Sequence, residues 1–297
     1  MSAQPTDRRA TPDLTPLALP GGGFAMLAID QRISLETMFA AAGRPVTIDA
    51  LDDFRADVLG ALAPHASAVL VERGMVERGR LPDLGGPPPG RILAAEHLIQ
   101  ERGHPASGST LDTDAPAVAD RLGAHALKLM AIHPLGEPIE PLVELVTAFV
   151  AMAHAAGRLA VTEGIVRGAE VTPEAFLAAT EALAVGADLY KAQTPIFGGT
   201  DGASITALSR ELSATLACPW VVLSTGVAED AFPAAVAGAC QGGASGFLAG
   251  RGIWASAIPS PDPGAALRGP ALGRLTALRA IVEAEARPWS EAAAARA

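Results

Sequence analysis

Residues 158–193 read RLAVTEGIVRGAEVTPEAFLAATEALAVGADLYKAQ, and the rest of the chain is read outward from them. The stretch opens on a short apolar run, RLAVTE (158–163), and closes on another, ADLYKAQ (187–193). Between them lies an Ala-rich amphipathic segment, 173–185. Thr172-Pro173-Glu174 supplies its start signal: a hydroxyl that accepts from a free N–H, a proline suited to the first turn, and an acidic residue at the positive end of the helix. Strand, helix, strand is the repeating unit of a parallel sheet covered by helices.

The same beat runs through the chain. Candidate strands are FAMLAID (24–30), ASAVLVE (66–72), RILAAEH (91–97), HALKLMA (125–131), RLAVTE, ADLYKAQ, PWVVLST (219–225) and SGFLAG (245–250). Helix-like segments lie at 49–63, 113–123, 137–157, 173–185, 203–216, 229–241 and 271–286. The strand runs are apolar almost throughout, as parallel strands buried on both faces require. Eight such repeats predict an α/β fold of one domain, a (β/α)8 TIM barrel over 19–287. Residues 1–18 and 288–297 read as flexible ends. The segment 73–90, RGMVERGRLPDLGGPPPG, reads as a loop with at most a short helix, a candidate active-site loop.

At 297 residues, 49% hydrophobic and 18% charged, the chain has ample apolar surface for a large core. A net charge of −10 argues against a nucleic-acid partner, since a phosphate backbone needs a cationic face. No run is long enough to span a bilayer and the polar N-terminus has no signal-peptide core, so the cytoplasm is the default location. Cys218 and Cys240 stand in no metal-ligand spacing and read as reduced core thiols. The six histidines form no metal-binding pair, so neither a metal nor another cofactor is expected.

Lysine usage is the sharpest functional signal. Of 22 basic residues only Lys128 and Lys191 are lysines, and both lie in apolar strand runs. Codon bias toward arginine accounts for the scarcity but not for the placement. Arginine serves as a surface cation, yet it cannot lose its proton; a task that needs a neutral amine excludes it. The foremost such task is attack on a carbonyl to form a Schiff base.

Residues at the C-terminal ends of barrel strands face the active site. Asp30-Gln31-Arg32, Glu72 and Glu163 stand at such ends, and Lys128 and Lys191 lie within their strands. Lys191 is read as the nucleophile. Lys128 is expected to lower its pKa by like-charge repulsion, and Glu163 to carry protons as the carbinolamine forms and dehydrates. Asp30 is placed to bond a substrate hydroxyl or to balance the iminium. The protonated imine is an electron sink, so a C–C bond two atoms away breaks to leave an enamine. Ser224-Thr225-Gly226 and Gly250-Arg251 fall in the loops that cradle phosphate in this fold, and Arg32 and Arg167 are further anion-holding candidates.

The stretches LAIDQR, ASAVLVE, GADLYK, PWVVLSTGV and GASGFLAGRGIW resemble the class I aldolases that include tagatose-1,6-bisphosphate and sulfofructosephosphate aldolases, the second more closely, over about residues 22–285. The resemblance implies a metal-independent barrel lyase, with Lys191 forming the Schiff base, Glu163 as acid/base, and Asp30, Gln31 and Lys128 in the pocket. It implies that Ser224, Gly226, Gly250 and Arg251 hold the phosphate of a dihydroxyacetone-phosphate half. The implied reaction is cleavage of 6-deoxy-6-sulfofructose 1-phosphate to dihydroxyacetone phosphate and sulfolactaldehyde, and the implied partners are a sugar phosphate and further copies of the chain. The chain departs from the pattern at Ala192-Gln193 (commonly Val-Glu), Glu72 (commonly Asp), Gly164 (Pro in the closest relatives) and Thr225 (Ser).

Overall fold

A computed structural model describes residues 12–83, 89–196 and 202–294. Eight parallel strands close into a barrel: Phe24–Ile29 (β1), Ala68–Val71 (β2), Gly90–Ala94 (β3), Ala126–Pro134 (β4), Leu159–Arg167 (β5), Leu189–Gln193 (β6), Trp220–Leu223 (β7) and Gly246–Ala249 (β8). Each pairs with the next in chain order, and β8 returns to β1. The (β/α)8 barrel expected from the eight beats is therefore the fold. Helices Ile48–Leu62, Ala115–Leu122, Glu140–Ala155, Pro173–Leu183, Gly202–Thr215, Phe232–Gln241 and Leu272–Glu285 form its coat. The start read at Thr172 is realised: its hydroxyl accepts from Ala175 N–H at 3.2 Å.

Side chains alternate along every strand. Met26 and Ala28, Ala68 and Leu70, Ile92 and Ala94, Val161, Leu189, Val221 and Leu248 point inward and pack as one cluster. Their neighbours, such as Leu27, Val69, Leu93 and Ala160, pack outward with the helices. Both faces are dry, which is why the strands read as unbroken apolar runs. Facing strands also sit in register, so β5 Glu163 lies opposite β6 Lys191.

The chain departs from the plain repeat in several of its connections. After β2 stands only a five-residue helix, Arg73–Glu77, as the loop reading of 73–90 allowed; residues 84–88 of that loop lie outside the described residues. After β3 an antiparallel hairpin, Glu96–Ile99 with Gly108–Leu111, precedes the helix. An extra helix, Ile33–Ala41, follows β1.

The ends are tighter than expected. Residues 1–18, expected to be flexible, are held in place from Leu14 onward: Leu14 and Leu17 are fully buried in the inward-facing cluster. At the other end Trp289–Ala294 is helical, Trp289 packs against that same cluster, and its N–H donates to Gly22 C=O at 3.0 Å. Residues 1–11 and 295–297 lie outside the described residues. Among the described residues no helix is long and apolar enough to cross a membrane.

Candidate active site

Strand phase brings the charges together. Lys128, Glu163 and Lys191 are in step with the inward-facing residues of β4, β5 and β6, and Asp30 with those of β1. Lys191 Nζ donates to Glu163 Oε2 at 2.9 Å. Lys128 Nζ stands 2.9 Å from Asp30 Oδ2, 3.0 Å from Glu163 Oε2 and 3.3 Å from Glu96 Oε1. Lys128 is wholly buried and Lys191 is 5% exposed.

Burial penalises each of these charges, and the neighbours decide the outcome. For Asp30 burial opposes ionisation, but Lys128 and Lys191 outweigh it and hold the pKa down to about 2. Glu163 is held below the usual carboxylate range in the same way, burial again opposing the two lysines. Glu96 goes the other way: burial exceeds the pull of Lys128 and Arg32, with Asp30 and Glu163 adding repulsion, and its pKa is raised. Lys128 is buried yet raised, because Asp30, Glu163 and Glu96 surround it. Lys128, read as a second cation beside Lys191, thus has its charge shared by three carboxylates.

Above this cluster opens a cavity of about 230 Å³. Asp30, Gln31, Glu163, Arg167, Lys191, Ser224, Thr225, Gly250 and Arg251 all line it, as the strand-end reading expected. The β7 and β8 loops are tied together there. Arg251 Nη2 donates to Thr225 Oγ1 at 3.0 Å, and Gly252 N–H to Ser224 Oγ at 3.3 Å. Gly250 has to be glycine, because a Cβ would collide with the Ala28 carbonyl and crowd Gln31 and Trp254. Gln31 presents a buried Oε1 that no group among the described residues satisfies.

Three of the expected residues do other work. Arg32 does not line the cavity; it donates to Glu96 Oε1 at 3.0 Å and to the Glu96 carbonyl at 2.8 Å, so its anion is a protein carboxylate. Glu72 is in phase with Ala68 and Leu70, but the chain leaves the strand there. Its carboxylate caps Gly74 N–H at 2.7 Å and pairs with Arg78 at 3.0 Å. Gly226 makes the β7 turn with φ 85° and does not line the cavity.

Other residues of the site were missed. Glu96, just beyond β3, is 2% exposed and completes the ring around Lys128. The hairpin contributes Leu98, Gln100, Pro105 and Ala106 to the cavity wall, and Arg167 donates to the Ala106 carbonyl to hold it there. Gln193 also lines the wall, its Oε1 accepting from Val166 N–H at 2.7 Å. Gly164 is explained by Tyr190, whose hydroxyl occupies the space a Cβ would need.

Residues 24–256 match the profile described as DeoC/LacD family aldolase. Among solved structures, the chain is similar to fructose-bisphosphate aldolase from Plasmodium falciparum in complex with TRAP and a small-molecule inhibitor. The TM-score is 0.69 at 14% identity, with 92% of this chain and 93% of that one covered. It is also similar to an archaeal fructose-1,6-bisphosphate aldolase whose catalytic lysine is covalently bound to the carbinolamine intermediate. There the TM-score is 0.62 at 22% identity, covering 90% of this chain and 96% of that one. At these identities the structural likeness is one of fold.

Proposed function

The chain belongs to the DeoC/LacD family of aldolases and is a carbon–carbon lyase, and from that premise we propose that it is a class I enzyme cleaving 6-deoxy-6-sulfofructose 1-phosphate through a Schiff base on Lys191. The observation that carries the covalent step is the buried Lys191–Glu163 contact of 2.9 Å at the wall of the cavity. Glu163 takes a proton from Lys191, and the neutral amine attacks the ketone. Glu163 returns the proton to the carbinolamine hydroxyl, which leaves as water. It then removes the proton of the hydroxyl on the carbon next to the bond that breaks. The bond electrons flow to the iminium nitrogen, sulfolactaldehyde departs and an enamine remains. Protonation of the enamine carbon and addition of water release dihydroxyacetone phosphate and restore the amine. Asp30, ionised down to about pH 2, accepts from a substrate hydroxyl and balances the iminium charge.

Ser224, Thr225, Gly250 and Arg251 are assigned to the phosphate, with Gly226 shaping the turn that presents the first two. Arg167 is assigned to the other terminus, beside the neutral Gln193. A single guanidinium next to an uncharged amide suits a monoanionic sulfonate better than a phosphate, which carries nearly two charges at neutral pH. A homo-oligomeric assembly and a cytoplasmic location belong to the same reading; sedimentation of the chain as a monomer overturns the first.

Borohydride reduction in the presence of dihydroxyacetone phosphate is expected to fix the three-carbon unit on the peptide carrying Lys191. A binding protein without lyase chemistry gives no adduct. Turnover of the sulfonated ketose phosphate is then compared with tagatose and fructose 1,6-bisphosphates; a large preference for either bisphosphate removes the sulfonate assignment and leaves the Schiff base standing. Arg251→Ala is expected to raise KM by about five- to thirtyfold, ~1–2 kcal/mol, with kcat little changed. The effect is kept modest because Arg251 is solvent-exposed. A fall in kcat at constant KM would contradict a binding role.

A further inference from the structure

Glu96 belongs to no strand of the barrel and lines no wall of the substrate cavity, yet it is tied to the reacting pair. It is the first residue of the hairpin after β3. Its Oε1 lies between Lys128 Nζ at 3.3 Å and Arg32 Nη2 at 3.0 Å, and its Oε2 is buried without a partner among the described residues. Arg32 also grips the Glu96 backbone carbonyl at 2.8 Å, which leaves the carboxylate little freedom to swing away. A continuous line of contacts results: Glu96 to Lys128, Lys128 to Glu163 at 3.0 Å, Glu163 to Lys191 at 2.9 Å.

Lys128 therefore has three carboxylates competing for one ammonium. Whatever share of that ammonium Glu96 and Asp30 take is not available to Glu163. We infer that Glu96 is a positioning residue that draws Lys128 off Glu163 and so leaves Glu163 a stronger base toward Lys191 and the substrate hydroxyl. The inference rests on the reading of Lys191 and Glu163 as the reacting pair. Glu96 touches no reacting atom and acts through Lys128 alone.

The surroundings support this assignment. Facing Glu96 are Arg32 and Asp30 from the end of β1, Lys128 from β4 and Glu163 from β5. On its other side a groove carries Glu72, Arg73, Glu77, His97, Asp112 and Asp114. Arg73 is engaged there by Asp112 at 2.7 Å and Glu77 at 2.8 Å, so it offers Glu96 no competing hold. Facing Glu163 are Lys128, Lys191 and Asp30. Burial raises the Glu96 pKa, so its charge grows as pH rises and its pull on Lys128 grows with it.

Glu96→Gln keeps size and hydrogen bonding but removes the charge. Lys128 then leans on Glu163, whose pKa falls. The expected result is a kcat lower by about tenfold with KM within about twofold, since a weaker base slows proton transfer. The acid limb of the kcat profile, which reports Glu163, moves to lower pH. Borohydride trapping on Lys191 is retained in the variant. A residue needed only for packing would lower the melting temperature and leave the acid limb where it was. Wild-type kcat and an unmoved acid limb in a variant that still traps on Lys191 overturn the inference alone. Failure of the wild-type protein to trap overturns the Schiff-base reading instead. If Glu96→Gln does not fold, Glu96→Asp takes its place. Its carboxylate is withdrawn from Lys128 by one methylene, so the acid limb moves the same way by less, and an unmoved limb there counts against the inference.

Discussion

Lys191→Ala is expected to end turnover while the barrel still folds, with kcat reduced at least about 10⁴-fold. The size of the effect follows from the chemistry: without the amine there is no imine, and without the imine the electrons of the breaking bond have no sink. The fold survives because Lys191 stands at the cavity wall, where solvent refills the space, and because Glu163 keeps Lys128 at 3.0 Å as its counter-ion. Lys191→Arg separates chemistry from charge. It restores a cation near Glu163 but supplies no group that deprotonates, so it too is expected to be inactive. The measurements are the turnover rate, the loss of the reductively trapped adduct and a melting temperature close to that of the parent. Substantial activity in Lys191→Arg would rule out covalent catalysis at this position.

The second large effect is on stability. Lys128→Met replaces a wholly buried ammonium by an apolar chain of similar length and leaves Asp30, Glu96 and Glu163 facing one another, with only Lys191 and Arg32 to balance them. Removing one partner of a buried ionic cluster costs about 3–5 kcal/mol, which in a domain of this size lowers the melting temperature by roughly 10 °C. The pH dependence gives the cause away. In the parent, Asp30 and Glu163 are depressed; their stabilising contribution is present above the ordinary carboxylate pKa and is lost as pH falls, for Asp30 through its folded value of about 2. In the variant, burial and mutual repulsion act without Lys128, and the folded-state pKa values rise above the unfolded ones. Stability is then regained as pH falls and the carboxylates take up protons. The deficit against the parent should shrink between pH 8 and pH 5 in thermal melts. An equal deficit at both would mean that Lys128 matters for its shape and not for its charge.

The strands were legible because both their faces are dry, so that even four-residue runs such as Trp220–Leu223 stand out against polar loops. The same dryness hid the phase, because a strand buried on both sides shows no alternation in hydropathy. That is why Glu96 escaped. It lies inside the run RILAAEH, two residues beyond the inward-facing Ala94, and unlike Lys128 and Lys191 it carries no compositional signal that sets it apart from the other carboxylates. Counting by twos from Ile92 through Ala94 reaches Glu96 directly. Glu72 shows the limit of that rule: it is in phase with Leu70, yet capping of Gly74 and pairing with Arg78 turn it away from the cavity. The hairpin was illegible for another reason. Its strands are four residues long, mostly polar and half exposed, and they carry no apolar periodicity. The loose reading of the termini failed because Leu14 and Leu17 stand in a proline-broken stretch and Trp289 among polar residues, with no strand or helix periodicity, and only packing against the barrel interior explains their burial.

A chain whose only two lysine ammonium groups are buried, with Lys191 at the edge of the substrate cavity and Lys128 sealed beneath it, presents no lysine on its outer surface. Acylating reagents, reducing sugars and amine-coupling resins, which decorate ordinary proteins at dozens of places, find here a single side-chain amine within reach. With Lys191 as the Schiff-base residue we propose, an aldehyde or activated ester small enough to enter the cavity becomes a count of working centres in a preparation, because each modified Lys191 removes one.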